Sequence, residues 1–175
     1  IAHLAEKVKE YFGDGSQFGV SIKYMEETKE PMGTAGSVKL AEPLINEKDF
    51  IVYYGDNLTS IDLDKFLKFH RTKHSLATVA LRPTPSGDKA SSIILLDPNS
   101  KVKLLLEKPT AADLDKYSEE KMFINSGIYL FTKEIFQYIP PGQKYDFMSQ
   151  LFPRLMGYNE SLFGYPTTDF FSEIG

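Results

Sequence analysis

Residues 50–54, Phe-Ile-Val-Tyr-Tyr, form an unbroken aromatic and β-branched run that halts at Gly55-Asp56. A strand-length segment without polar alternation has no face to give to water. It therefore reads as a strand buried on both sides, the kind that lies inside a parallel sheet covered by helices. The flanking segments supply those helices. Leu4, Val8, Tyr11 and Phe12 recur at helical spacing until Gly13-Asp14-Gly15 stops them, and Val20 to Tyr24 alternates as a strand. Thr34 is placed to cap a helix from Ala35 to about Leu44. Asp62 is placed to cap another, with Leu63, Phe66, Leu67 and His70 as its inward stripe, and Leu76 to Leu81 is the next strand. The order αβαβαβ implies right-handed crossovers and a doubly wound, mostly parallel sheet with helices on both faces.

After Arg82 the texture changes. Ser91 to Leu96 and Lys101 to Leu106 read as a hairpin across Asp97-Pro98-Asn99-Ser100, and Met122 to Phe131 as a long strand. Helices at about 132–138 and 146–156 follow, the second with a Phe147, Leu151 and Leu155 stripe. Short strands at Leu162–Tyr165 and Asp169–Ile174 close the chain. The moderately polar segment Thr110 to Lys121 reads as a flexible loop. With 175 residues, no repeat and no low-complexity linker, one domain over 1–175 is expected. The 20 Lys+Arg against 24 Asp+Glu, with no basic block, argue against a nucleic-acid or anionic-membrane surface and leave room for a phosphorylated ligand held locally. The absence of cysteine rules out a disulfide framework and thiolate metal sites and permits a reducing cytoplasm.

Ligands of doubly wound sheets lie outside the carboxyl ends of the strands, so Asp56, directly after a buried strand, points to the crevice, and Gly55 permits close approach there. Asp56 forming a turn with Asn57 is the alternative. In residues 30–45, EPMGTAGSVKLAEPLI, Gly33 and Gly36 remove bulk ahead of a helix whose first amides can meet an anion or a heterocycle. A plain N-cap explains the segment equally well, since neither GxGxxG nor a P-loop is present. In LLLEKPT, residues 104–110, Glu107 can take sugar hydroxyls and Lys108 can neutralise a phosphate. The alternative is a rim ion pair contributing under about 1 kcal/mol. FINSGIYLF, residues 123–131, is interrupted by Asn125-Ser126-Gly127, which a bulge would also explain. His3, His70 and His74 have no metal-site spacing, and no Ser-His-Asp or Cys-His arrangement appears.

In order, GTAG, an apolar strand ending in GD, FH with ATVAL, EKP, NSGIYLF, YDFMSQLFPRL and FFSEIG resemble the nucleoside-diphosphate-sugar pyrophosphorylases, the sugar-1-phosphate nucleotidyltransferases. The resemblance runs from about Phe18 to Gly175. It implies a Rossmann-like sheet of the nucleotide-diphospho-sugar transferase type with a mixed β half that binds the sugar. It also implies attack of a sugar 1-phosphate oxygen on the α-phosphorus of an NTP, without a protein nucleophile. By resemblance, Asp56 matches the aspartate on catalytic Mg²⁺, and Glu173 stands where a second metal-binding aspartate is usual. Gly33 and Thr34 match the nucleobase loop, with Glu27, or Thr28 in its place, as the base reader. Glu107 and Lys108 match the pair that holds sugar and sugar phosphate, and Asn125 with Gly127 matches the sugar-pocket strand. Asp56 and Lys108 are thus the expected catalytic residues. Glu for Asp at 173, and Ser92 where many relatives have glycine, are departures.

The glycine-rich loop with arginine that grips the triphosphate in this family has no counterpart here. With a start at Ile1-Ala2-His3-Leu4 inside an amphipathic pattern and without methionine, this leads to the expectation of an N-terminally truncated domain lacking its first strand–helix units, inactive alone. Such a truncation would expose a normally interior strand edge. The expected partners are an NTP and a sugar 1-phosphate, with no nucleic acid and no membrane, homo-oligomer formation left open, and a cytoplasmic location. The alternative function is a catalytically inactive nucleotidyltransferase-like binding or regulatory domain. Another Mg²⁺-dependent α/β enzyme is less supported, because no DxDxT pattern occurs.

Overall fold

The computed structural model describes residues 4–27, 31–84 and 92–174; His3, Thr28, Ser91 and Gly175 lie outside them. The chain begins with α1 (Ala5–Phe12), which forms as the spacing predicts but buries none of its residues. Tyr11 and Phe12 instead group with Phe18 of a short 3₁₀ turn, Ser16–Phe18. The strand expected at Val20 to Tyr24 is not formed. Its backbone is spent on the preceding turn, with the Val20 amide donating to the Gly15 carbonyl (3.2 Å) and the Ile22 amide to that of Asp14 (2.8 Å).

α2 (Gly33–Leu40) stops short of Leu44, and the rest of the predicted helix continues as a 3₁₀ turn, Glu42–Leu44, where Pro43 lacks an amide to extend the α ladder. Then come β1 (Asp49–Tyr53), β2 (Asn57–Thr59), α3 (Leu63–Thr72), β3 (Ala77–Pro83), and the hairpin β4 (Ser92–Leu96) with β5 (Val102–Glu107). α4 (Ala111–Lys116), β6 (Phe123–Thr132), a 3₁₀ segment Lys133–Tyr138, a π turn Phe147–Leu151 running into α5 (Phe152–Gly157), β7 (Leu162–Pro166) and β8 (Phe171–Glu173) complete the chain. α4 replaces the expected flexible loop. Thr110 and Asp113 form a reciprocal capping box, each side chain accepting the other's amide, and this holds the short helix.

β6 organises the sheet. One of its edges is antiparallel to β3, which runs parallel to β7, and the other is antiparallel to β1 and touches β4 at Phe123. β1, β3 and β7 therefore share one direction, with β6 opposed between them and the β4–β5 hairpin alongside. This is an α/β fold with the mixed β half that the sequence implies. β2 and β8 form a separate antiparallel ribbon. Tyr129 and Phe131 of β6 enter one core with Phe147, Leu151, Phe152 and Leu155, while Ile128 and Leu130 enter a second with Phe66. Alternation along β6 thus feeds both faces, and helices cover each.

β1 is not buried on both faces. Phe50 and Val52 pack on the first core, but Ile51 and Tyr53 are each 40% exposed. α3 lies over β3, β6 and β7 and meets β1 at its first residue, where Arg71 donates to Asp49 (2.7 Å); the second edge of β1 has no strand partner among the described residues. An all-apolar run records its residues and not what stands above them.

Asp62 caps α3 as expected, accepting the Lys65 amide at 3.0 Å; Phe66 and His70 are buried, while Leu63 turns out to be exposed. His70 Nδ1 lies 2.7 Å from the Thr78 hydroxyl, and its Nε2 lies 4.0 Å from Asp49. Burial pushes His70 from its ordinary 6.5 down to about 4, so the folded state holds it neutral. As pH falls through 6.5 the unfolded chain takes up a proton that the fold refuses, and stability is lost down to about pH 4, by at most about 3 kcal/mol. Above 6.5 this loss is absent. Urea midpoints of wild type and His70→Asn, measured from pH 7.5 to 4, should diverge in slope over that window. Parallel slopes would show that His70 does not set it.

Candidate active site

A cavity of about 390 Å³ opens beyond the end of β1. It is lined by Asp56, Glu107, Lys108, Asn125, Gly127 and Glu173, which the sequence singled out, with Ser92 among its walls. Gly33 and Thr34 do not line it. Among the residues sequence reasoning did not select, Tyr54, Asn57, Asp146 and Met148 do.

Asp56 reaches the cavity through a turn closed by main-chain bonds. The Tyr54 amide donates to the Gly127 carbonyl (3.0 Å), the Asn57 amide to that of Tyr54 (3.1 Å), and the Ile174 amide to that of Asp56 (2.8 Å). In the β2–β8 ribbon Asn57 stands opposite Glu173, so the same ribbon carries Asp56 and Glu173 side by side. The turn's side-chain anchor is Asn57, whose amide donates to the Ser126 carbonyl at 2.8 Å. The Asp56 carboxylate has no hydrogen-bond donor upon it among the described residues. A Cβ on Gly55 would meet nothing within 4 Å, so close approach is not the reason for that glycine in this structure.

Gly127 is different. Its φ is +66°, and a Cβ there would lie 2.7 Å from both the Asn57 amide nitrogen and the Tyr54 ring. The register of β6 against β3 jumps from Val79–Tyr129 to Leu81–Asn125, so the interruption is a bulge, and the bulge is where the β1 turn docks. Asn125 holds it, accepting the Gly127 amide (2.9 Å) and donating to the Tyr129 hydroxyl (2.6 Å).

Glu107 pairs across the hairpin with Ser92, and Lys108 follows it with φ +51°, a left-handed conformation uncommon for lysine. Both are exposed, and they form no salt bridge with one another, so the rim ion pair is not what they build. The Glu173 carboxylate is 3.9 Å from Arg82, whose guanidinium lies 3.9 Å from the centre of the Phe171 ring. No group of three or more His, Asp or Glu converges as a metal site among the described residues.

The loop that leads into α2 faces a different partner. The Tyr145 carbonyl accepts the Ala35 (3.0 Å) and Gly36 (2.9 Å) amides, and the Tyr145 amide donates to Met32 (2.8 Å). A Cβ on Gly33, whose φ is +71°, would lie 2.7 Å from that carbonyl. Thr34 does not cap α2; its hydroxyl donates to Asp146 (2.7 Å) and accepts the Phe147 amide (2.9 Å). Glu27 holds the Ser37 hydroxyl and the Met32 amide, which keep its carboxyl below the usual range, and it lines a separate groove along α2. Burial alone would raise the Asp146 carboxyl. Donation from Thr34 and from the Ser149 and Met148 amides outweighs it and keeps Asp146 low. An aspartate directly ahead of an apolar helical stripe carries an N-cap signature, and that signal could have singled out Asp146.

The Nucleotidyl transferase family model matches residues 2–175. UTP–glucose-1-phosphate uridylyltransferase of Synechocystis sp. is 36% identical over 168 residues, covering 89% of this chain and 42% of the relative. Mannose-1-phosphate guanylyltransferase of Mycobacterium tuberculosis is 30% identical over 166 residues, covering 94% of this chain and 44% of the relative. The chain spans less than half the length of these two relatives. In fold it is similar to HddC from Yersinia pseudotuberculosis complexed with GMP-PN, with a TM-score of 0.78 at 20% identity, over 99% of this chain and 70% of that one. With its family model running over nearly the whole sequence, the chain belongs to the nucleotidyl transferase family.

Proposed function

We propose that the chain forms the sugar-phosphate half of a site that transfers a nucleotidyl group from an NTP to a sugar 1-phosphate. The observation that carries this reading is the single cavity onto which Asp56, Glu107, Lys108, Asn125 and Glu173 converge from four separate segments. A phosphate oxygen of the sugar 1-phosphate forms the new bond to the α-phosphorus, the bond to the β-phosphate bridge breaks, and pyrophosphate leaves. The protein's part in such a displacement is positioning and charge neutralisation. Lys108 neutralises the sugar phosphate, Glu107 accepts sugar hydroxyls, and Asn125 with Gly127 shapes the wall beside them.

Asp56 and Glu173 fit a hard cation that keeps several waters: the first carboxylate is open, and the ribbon brings the second alongside. They would hold Mg²⁺, which when bound supplies positive charge to the phosphate oxygens. The proximity of Arg82 to Glu173 favours a second reading, a related domain that binds sugar phosphate without turnover. Ser92 in the cavity wall is consistent with either. Pyrophosphate release by the full-length protein separates the two.

The test of the first reading is Lys108→Met in the full-length protein. Loss of one charge-assisted contact should weaken sugar 1-phosphate binding about tenfold or more, by titration calorimetry, with NTP affinity within about twofold. Equal weakening of both ligands would instead make Lys108 a general structural or electrostatic residue.

A further inference from the structure

The hydroxyl of Thr34, implied by resemblance to meet the nucleobase, is already committed within the protein. A threonine hydroxyl has one proton to donate and two lone pairs. The proton goes to Asp146 (2.7 Å), and one lone pair takes the Phe147 amide (2.9 Å). One lone pair of the hydroxyl remains. The neighbouring Ala35 and Gly36 amides are spent on the Tyr145 carbonyl. This end of α2 therefore has little left to offer a base.

A second set of bonds runs beneath the cavity. The Asn125 amide donates to the Tyr129 hydroxyl (2.6 Å), which donates to that of Tyr54 (3.3 Å), and Tyr54 lines the cavity together with Asp146. An amide nitrogen can only donate, so the Tyr129 hydroxyl accepts from Asn125 and its own proton goes to Tyr54. Burial pushes the pKa of both phenols up from its ordinary value and keeps their protons in place. Asn125 and Asp146 line the cavity. Thr34 donates to Asp146 Oδ2, and Oδ1 accepts the Met148 (2.9 Å) and Ser149 (3.3 Å) amides and the Ser149 hydroxyl (3.4 Å), which leaves an acceptor position of Oδ2 unfilled.

We infer that Thr34 is a positioning residue for the sugar-phosphate cavity, acting through Asp146, and that Asp146 presents its remaining acceptor position to a hydroxyl of the sugar. The inference rests on the function proposed above. It moves Thr34 from the nucleotide half of the site to the sugar half, and it adds Asp146, which the resemblance did not assign.

The test compares Thr34→Val, which keeps the branched shape and loses the hydroxyl, with Thr34→Ser, which keeps the hydroxyl. Both are made in the full-length protein and assayed with whichever pair wild type turns over among GTP, UTP or dTTP and mannose or glucose 1-phosphate. Valine should raise the KM for the sugar 1-phosphate about tenfold and leave that for the NTP within about twofold, and serine should restore most of the loss. A rise in the NTP KM alone would overturn the inference, as would two unchanged KM values with only a lowered Tm. Amide exchange in the ligand-free protein supplies a readout independent of turnover. The Met148 and Ser149 amides should exchange faster in Thr34→Val if Thr34 holds Asp146, and unchanged exchange counts against the inference. Wild type that turns over no pair would sink the proposed function, while the exchange result would still decide whether Thr34 holds Asp146.

Discussion

Asp56→Asn in the full-length protein is expected to lower pyrophosphate release by about 10²–10³-fold while barely moving the melting temperature. The two halves of this expectation have separate causes. The turn around Asp56 is closed by main-chain bonds from Asn57 to Tyr54 and from Ile174 to Asp56, and asparagine keeps them all. No donor on the carboxylate is lost, so the stability change should stay within about 0.5 kcal/mol, or about 2 °C for a chain of this size. Activity depends on the charge itself, because a neutral amide is a poor ligand for a cation that balances phosphate charge. Raising the Mg²⁺ concentration should recover part of the loss. Glu173→Gln should behave alike but more mildly, since Arg82 already shares that carboxylate. Full activity in Asp56→Asn at low Mg²⁺ together with a lower melting temperature would make Gly55-Asp56 a turn and nothing more.

What was legible in the sequence follows the range of the forces involved. The α3 cap at Asp62, the Asp97 turn of the hairpin and the length of β6 are decided by neighbours a few residues apart, and each forms where its local pattern says. The capping box at Thr110 and Asp113 was equally local; a helix of six residues was simply too short to show a stripe. Thr34 shows the limit. A threonine ahead of a helix reads as its cap, yet the partner that claims the hydroxyl is Asp146, 112 positions on, and nothing near Thr34 encodes it. Asp146 has the same difficulty from the other side: its capping role is local, but its place in the cavity depends on the loop it meets. The exposure of Ile51 and Tyr53 has a third origin, since burial is a property of the covering layer as much as of the strand. Convergence of Asp56, Glu107, Asn125 and Glu173 was foreseen only through the ordered motifs, because spacing alone cannot bring four segments together.

Gly127→Ala should be the most destabilising single-methyl change near the site. The left-handed φ of +66° costs a residue with a Cβ roughly 1–2 kcal/mol. The added methyl would also stand 2.7 Å from the Tyr54 ring and from the Asn57 amide, too close for either to remain. Neither can yield cheaply. Asn57 anchors the β1 turn on Ser126, and Tyr54 lies against Tyr129 with ring centres 5.7 Å apart and shares its hydroxyl chain. Overpacking of this kind adds about 1–3 kcal/mol, so the total should reach about 2–5 kcal/mol, a fall in melting temperature of roughly 5–15 °C. The surviving folded fraction should have lost sugar 1-phosphate affinity as well, because displacing Tyr54 removes part of the cavity wall and its bond to Tyr129. Gly55→Ala is the matched control: its methyl meets nothing within 4 Å, and its effect should stay within about 0.5 kcal/mol. Thermal melts of the two variants side by side decide the matter. Equal melting temperatures would mean that the bulge has room to relax and that Gly127 is not what seats the β1 turn against β6.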